Sequence, residues 1–453
     1  MNFPSPRPAD DGRSGPLRIF VVTAAGTVVA LVGLSRFWPT CRPTVATLEM
    51  SAASEGPSAN PGAGSPETPA ASASLGSDIP SAVDSAATLA APASDPIHPE
   101  AQRLMTRLTS ALALLTGKDG TASQAQALEE WKSGLRELGS LGPAGIPAIL
   151  KFLSEGTDLR FSPELRADLG HGSARTGLIQ ALRQIDGPEA ISAMSGILER
   201  TQSYQELALL AQGLEEADPG GHRSRVVDLA RGELAAAATA SAAAVPNADS
   251  ADVAPLFEVL GHYGSPETAR DLEAAAGRWK YYAMSALARL PEGAGVPSLI
   301  RLADTNASGA NRLQALQVLM ELAPADDAAR DYLITQASNG GIAPEQWSYL
   351  KQPLSGNQYF VVDAVLTPYP PVANWADIQT LHIQAGNQTL YSIPSSASQT
   401  PEGIQRQLAL IDQLKGFAQG PTAQATLREA RQVLELRMQR ATAGQPAFTT
   451  ENP

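Results

Sequence analysis

Between residues 124 and 340 apolar side chains recur three and four positions apart, in short runs closed by Gly and opened by Pro. That spacing puts them on one face of a helix and predicts helices laid end to end in pairs. A leading helix over 99–116 carries Leu104, Leu108, Leu112 and Leu115. Six pairs follow: 124–138 with 144–153, 163–185 with 188–200, 204–217 with 219–234, 253–263 with 266–276, 279–290 with 296–303, and 310–322 with 324–337. Gly170-His171-Gly172 stands as a possible break within 163–185, and an Ala-rich stretch fills 235–250. Leu313, Leu316, Val318 and Leu319 make an apolar face broad enough to need cover from both sides. After 340 the rhythm stops. A helix over 343–351, with Trp347 and Tyr349, is expected to cap the series, and an irregular Pro-containing section runs to 371. A β-hairpin is expected with strands 381–384 and 389–393. Residues 401–417 and 421–440 read as a helical hairpin, with Ile404, Leu408, Ile411 and Leu414 facing Leu427, Leu434 and Met438.

The punctuation has a physical cause. Pro at a first helical position loses no helix hydrogen bond and brings its φ preset. Ser265-Pro266-Glu267 offers a capping hydroxyl and a carboxylate to a positive helix end, and Gly187-Pro188-Glu189 repeats the arrangement with a weaker cap. One stretch recurs almost position for position. Ala144-Gly145-Ile146-Pro147-Ala148-Ile149-Leu150-Lys151-Phe152-Leu153 returns as Ala294-Gly295-Val296-Pro297-Ser298-Leu299-Ile300-Arg301-Leu302-Ala303. Internal similarity of this kind marks stacked repeats, in which each pair buries its apolar face only against its neighbours.

On these motifs the region 124–340 resembles HEAT repeats, especially the short bacterial HEAT-like type also seen in phycobilisome lyases. The resemblance implies an all-α fold, a right-handed α-solenoid whose second helices line an inner face that binds other macromolecules. It would place Lys151, Arg270 and Arg301 near that face.

Ahead of the helices lies the one membrane candidate, 17–38. Residues 19–35 carry no charge between Arg18 and Arg36, a length of about 25 Å as helix. Snorkelling arginines, with Phe37 and Trp38 at the interface, make a single-pass anchor feasible. A cleaved signal peptide and a buried soluble helix are the alternatives. Residues 1–16 form the tail on the cytoplasmic side. No Lys or Arg occurs between Arg42 and Arg103, which favours export of the C-terminal bulk to the periplasmic side of the inner membrane. The span 39–98, dominated from residue 43 by Ala, Ser, Pro, Gly and Thr, is expected to be a disordered spacer with a reach of about 40 Å. The remaining divisions are the repeats over 99–340, a capping segment over 341–399, the helical hairpin over 400–441 and a tail over 442–453.

Composition narrows the function. Aromatic residues are 5% of the chain, which suits repetitive helix packing. The net charge is −13, and residues 99–340 hold 21 Lys and Arg against 30 Asp and Glu, so general nucleic-acid binding is not expected. The single cysteine, Cys41, rules out an internal disulfide framework and a cysteine-based zinc site. His98, His171, His222, His262 and His382 are scattered, and no metalloprotease helix, phosphate-cradling loop or dinucleotide fingerprint occurs. Gly170-His171-Gly172-Ser173 lacks the spacing of a hydrolase elbow. No catalytic residue, cofactor or metal site is therefore assigned. Trp279, Tyr281 and Tyr282, beside Arg278 and Lys280, are the candidate partner-binding cluster, together with Lys151, Arg270 and Arg301. The expected function is a membrane-tethered extracytoplasmic scaffold that binds one or more proteins through the repeats. Two alternatives are an enzyme or enzyme subunit of the lyase type, and an assembly factor that docks through the C-terminal hairpin.

Overall fold

The computed structural model describes residues 97–116, 121–155, 158–243, 253–305, 309–361, 379–383, 388–395 and 397–445, all within one compact unit, Ala86–Pro453. They are mostly helical. The helices are α1 (Pro99–Thr116), α2 (Thr121–Ser140), α3 (Ile146–Ser154), α4 (Pro163–Leu169), α5 (Ala174–Arg183), α6 (Pro188–Leu198), α7 (Tyr204–Ala217), α8 (Arg223–Ala243) and α9 (Ala254–Tyr263). There follow α10 (Thr268–Ala275), α11 (Lys280–Arg289), α12 (Val296–Thr305), α13 (Gly309–Leu322), α14 (Asp327–Ser338), the short α15 (Lys351–Leu354), α16 (Pro401–Lys415) and α17 (Pro421–Thr442).

Two rows organise them. Helices α2, α5, α7, α9, α11 and α13 touch in succession, and α3 with α6, and α10 with α12 and α14, make contacts of a second row. Second-row helices also pack on the first-row helix that follows them, α6 on α7, α8 on α9, α10 on α11 and α12 on α13. First-row helices are covered on two sides, so their apolar faces are broad: α7 buries Leu207, Leu209, Leu210 and Leu214, and α13 buries Leu316, Val318, Leu319 and Met320. At about 2 kcal/mol for each large aliphatic side chain, this burial is the main force holding the rows together. Helix α1 covers one end, against α2 and α3; at the other, α15 meets α13, α16 meets α14 and α17 meets α15.

The repeated stretch now has a structural reason. A Cβ on Gly145 would lie 2.7 Å from the Leu138 carbonyl oxygen, and one on Gly295 would lie 2.0 Å from that of Leu287. In both pairs the chain enters its second helix pressed against the backbone of the first, a close approach open only to glycine. Burial repeats too: Ile146, Ala148 and Ile149 are buried as Val296, Ser298 and Leu299 are, while Lys151 and Arg301 are exposed.

Several sequence expectations are corrected. The span 163–185 is two helices, α4 and α5, divided at the Gly170-His171-Gly172 break that the sequence offered, because Gly170 at φ +76° ends α4 in the left-handed region and Ser173 caps α5 anew. Helix α10 starts at Thr268, and the Ser265 hydroxyl donates to the Glu267 carboxylate at 2.6 Å without capping the helix. Helix α8 runs on through part of the Ala-rich stretch to Ala243. In place of a helix over 343–351 there is a 3-10 turn, Trp347–Leu350, leading into α15; Trp347 is buried and Tyr349 exposed. The β-hairpin is present as β2 (Gln379–Ile383) and β3 (Gln388–Pro394), with Leu381 opposite Leu390, and an unforeseen strand, β1 (Asn357–Val361), pairs antiparallel on the other side of β3. Helix α17 is tied to β1 by Arg437, which donates to the Ser355 carbonyl and to Asn357 Oδ1. Burial of this guanidinium lowers its pKa to about 10. The expected membrane span 17–38, the spacer 39–98 up to residue 96 and Cys41 lie outside the described residues. Among the described residues no helix is long and apolar enough to cross a membrane.

Candidate functional site

A cleft of about 860 Å³ opens where the end of α3, the start of α5, the end of α6 and the start of α7 come together. Its apolar wall includes Leu150, Leu153, Ile197 and Pro255; its polar wall holds Arg160, Arg166, Arg175 and Arg200 against Asp158 and Glu206. The α4–α5 break builds one side. Extended chain at Asp158–Phe161 bridges to Ser173, with the Phe161 N–H donating to the Gly172 carbonyl and the Ala174 N–H to the Leu159 carbonyl. This lays Arg160 beside the first residue ahead of α5.

Arg175 is fixed on three sides. Its Nε donates to Glu206 Oε1 at 2.6 Å, its Nη2 to Glu206 Oε2 at 3.1 Å and its Nη1 to the Leu153 carbonyl at 2.5 Å. Thr201 Oγ1 donates to the same Glu206 carboxylate at 2.7 Å. Glu206 is only 2% exposed, so this bidentate pair is a part of the packing between α5 and α7 as well as a wall of the cleft. The Glu206 hydrogen bond raises the Arg175 pKa further, keeping the guanidinium charged.

Behind the cleft lies an aromatic group. The Trp131 indole N–H donates to His171 Nε2 at 2.9 Å, with Phe161 edge-on to both rings. Accepting that bond requires a neutral imidazole with its proton on Nδ1. Burial is the largest influence on His171 and holds its pKa down to about 4. Ser173 is a helix cap: its hydroxyl accepts from the Thr176 N–H, and Thr176 Oγ1 accepts from the Ser173 N–H. His171 turns its acceptor nitrogen to Trp131, and the Ser173 hydroxyl is engaged with Thr176. Among the described residues no group of three or more His, Cys, Asp or Glu is placed to hold a metal ion.

The residues singled out from sequence are not brought together. Trp279 and Tyr282 are in the core, packed on Phe257 with ring centroids 5.8 and 5.7 Å apart, so neither offers the contact surface expected of it. They fill the space between α9 and α11, a position that apolar spacing alone does not distinguish from an exposed cluster. Tyr281 is half-buried under Lys280, whose Nζ stands 4.6 Å from the ring centroid; burial lowers the Lys280 pKa. Arg301 is held by Glu273, with Nε 3.1 Å from each carboxylate oxygen, and by Ser298 Oγ at 2.7 Å. The Arg301 hydrogen bond is the main cause that lowers the Glu273 pKa. Lys151 and Arg270 are exposed and hold no ion-pair partner among the described residues.

Arg301 belongs to a longer polar series along the second row. Glu199, at the end of α6, accepts from Arg225 of α8; Arg231 of α8 donates to Asp271 of α10; Glu273 of α10 accepts from Arg301 of α12; Tyr332 of α14 donates to Asp304 of α12 at 2.6 Å. The partners are 26 to 40 residues apart, about one helix pair, which is why no local pattern exposes them. For the cleft a sequence signal did exist: Arg160, Arg166 and Arg175 cluster around the Gly170-His171-Gly172 break. Comparison of the chain with protein-family models, with curated proteins and with solved structures finds no match.

Proposed function

We propose that the paired helices form a HEAT-like α-solenoid acting as a protein-binding scaffold, tethered to the inner membrane by residues 17–38 and held on its outer side. The observation that supports this reading is that helix contacts run between neighbouring pairs in two rows, as they would in a repeat protein that offers surface along its length. The polar series along the second row supports it, since it fixes the spacing of successive pairs. On this reading Lys151 and Arg270 mark the contact face, because they are the second-row cations left free of carboxylates among the described residues.

The reading in which the C-terminal hairpin docks the partner has less support. Ile404, Ile411, Leu414, Leu427 and Leu434 are already buried, which leaves chiefly Phe417 and Leu436 exposed there. A photo-reactive phenylalanine placed in turn at Lys151, Arg270 and Phe417, in native membranes, tests both. The scaffold reading expects one discrete adduct of the same mass from positions 151 and 270. An adduct from position 417 alone favours the hairpin, and no adduct from any position refutes both. Recovery of the full-length chain in the soluble fraction refutes the tether.

A further inference from the structure

Several arginines of this chain hold carboxylates. Arg183 donates to Glu216, Arg223 to Glu215, Arg225 to Glu199, Arg231 to Asp271 and Arg301 to Glu273. With 46 acidic residues against 33 basic ones, carboxylates are plentiful. The cleft at the α5 and α7 ends gathers arginines that do not hold one among the described residues. Of its two carboxylates, Glu206 is taken up by Arg175, and Asp158 accepts from the Arg175 backbone N–H at 3.4 Å. Arg160 and Arg200 are exposed and hold no carboxylate among the described residues; Arg200 turns its Nε to the carbonyl of Gly196, on its own helix. Arg160 and Arg200 thus bring positive charge to this concavity without a carboxylate to offset it among the described residues.

We propose that the cleft binds a small organic polyanion through carboxylate or phosphate groups, a role separate from the scaffold reading. Its volume of about 860 Å³ falls within the range of roughly 300–1,000 Å³ for small-molecule sites. Side chains, not backbone, do the recognising at α5, because the N–H groups there are occupied: Ala174 by Leu159, Arg175 by Asp158 and Thr176 by Ser173. At Gly172 the Arg166 and Gln205 side chains both stand against the cleft wall, Arg166 Nε and Gln205 Oε1 each 3.6 Å from where a Cβ would lie. The planar fork of a guanidinium matches both carboxylate and phosphate oxygens, and the Gln205 amide adds a neutral donor. The Arg175–Glu206 pair keeps the far wall rigid, so little ordering accompanies binding.

Isothermal titration of the purified full-length chain in detergent tests this, with pyrophosphate and citrate as separate probes at fixed ionic strength. At least one probe is expected to bind with a dissociation constant below 1 mM, and the tighter of the two names the group recognised. An Arg160→Ala/Arg200→Ala variant is expected to weaken that binding at least tenfold, with unchanged helical circular dichroism because both side chains are exposed. Arg103→Ala, at an exposed cation of α1 outside the cleft, is expected to bind as the wild type does. If the double variant does not fold, Gln205→Glu, which adds a negative charge over Gly172, takes its place with the same expected loss. Absence of binding by either probe up to 10 mM, or equal binding by the wild type and the cleft variant, overturns the proposal.

Discussion

Acid provides a direct test of the packing behind the cleft. His171 is 6% exposed and accepts the Trp131 indole proton at 2.9 Å, and a Cβ on Gly177 would lie 2.6 Å from its Nε2. There is no room for water to solvate a charged imidazole, and protonation removes the acceptor that Trp131 uses. The folded pKa of about 4 lies below the ordinary value of 6.5. Between those values the unfolded chain binds the extra proton, so stability is fully present above pH 6.5, falls as pH drops through the window and levels off below 4. The gap corresponds to about 3 kcal/mol, a large share of a typical folding free energy of about 5–15 kcal/mol. Urea unfolding of the wild type and His171→Gln, followed by far-ultraviolet circular dichroism from pH 7.5 to 4, measures it. Glutamine keeps an acceptor for Trp131 and cannot take up a proton in this range. Carboxylates whose pKa is lowered by ion pairs, such as Glu199, Glu215 and Glu273, lose stability toward low pH in both proteins and cancel in the difference. The wild type is expected to lose about 3 kcal/mol more than the variant across the window. Parallel stability curves would refute the assignment of His171 as a buried neutral acceptor.

Three further outcomes follow from the geometry. Gly295→Ala drives a methyl group onto the Leu287 carbonyl and is expected to cost on the order of 3 kcal/mol, whereas Gly232→Ala, in α8 with open space around it, is expected to stabilise by about 0.5–1 kcal/mol; thermal denaturation compares the two. Arg175→Met strands the buried Glu206 carboxylate and is expected to cost about 3–5 kcal/mol, much of it recovered in Arg175→Met/Glu206→Leu, as a double-mutant cycle would reveal. Arg301→Ala, at an exposed pair, is expected to cost no more than about 1 kcal/mol and to raise the Glu273 pKa, readable by carboxyl carbon NMR.

What was legible beforehand was whatever depends on residues a few positions apart. Helices α1 and α7 begin and end where the apolar spacing and its flanking residues placed them, at Pro99–Thr116 and Tyr204–Ala217. The recurrence of 144–153 at 294–303 was visible because the same backbone approach demands the same glycine in both pairs. Ser265 read as a cap, but the helix begins at Thr268, with Glu267 as the residue ahead of it, and the Ser265 hydroxyl donates to the Glu267 carboxylate.

The amino-acid order by itself determined the helical class, most helix positions and the repeated pairing, because hydrophobic spacing, proline and glycine act over one turn or one bend. The tertiary structure alone decided which charged groups face one another, that Trp279 and Tyr282 lie inside, and that four arginines share a cleft with one carboxylate already engaged. Those facts rest on contacts between residues tens of positions apart, such as Trp131 with His171 and Arg175 with Glu206, which exist only once neighbouring helices are stacked.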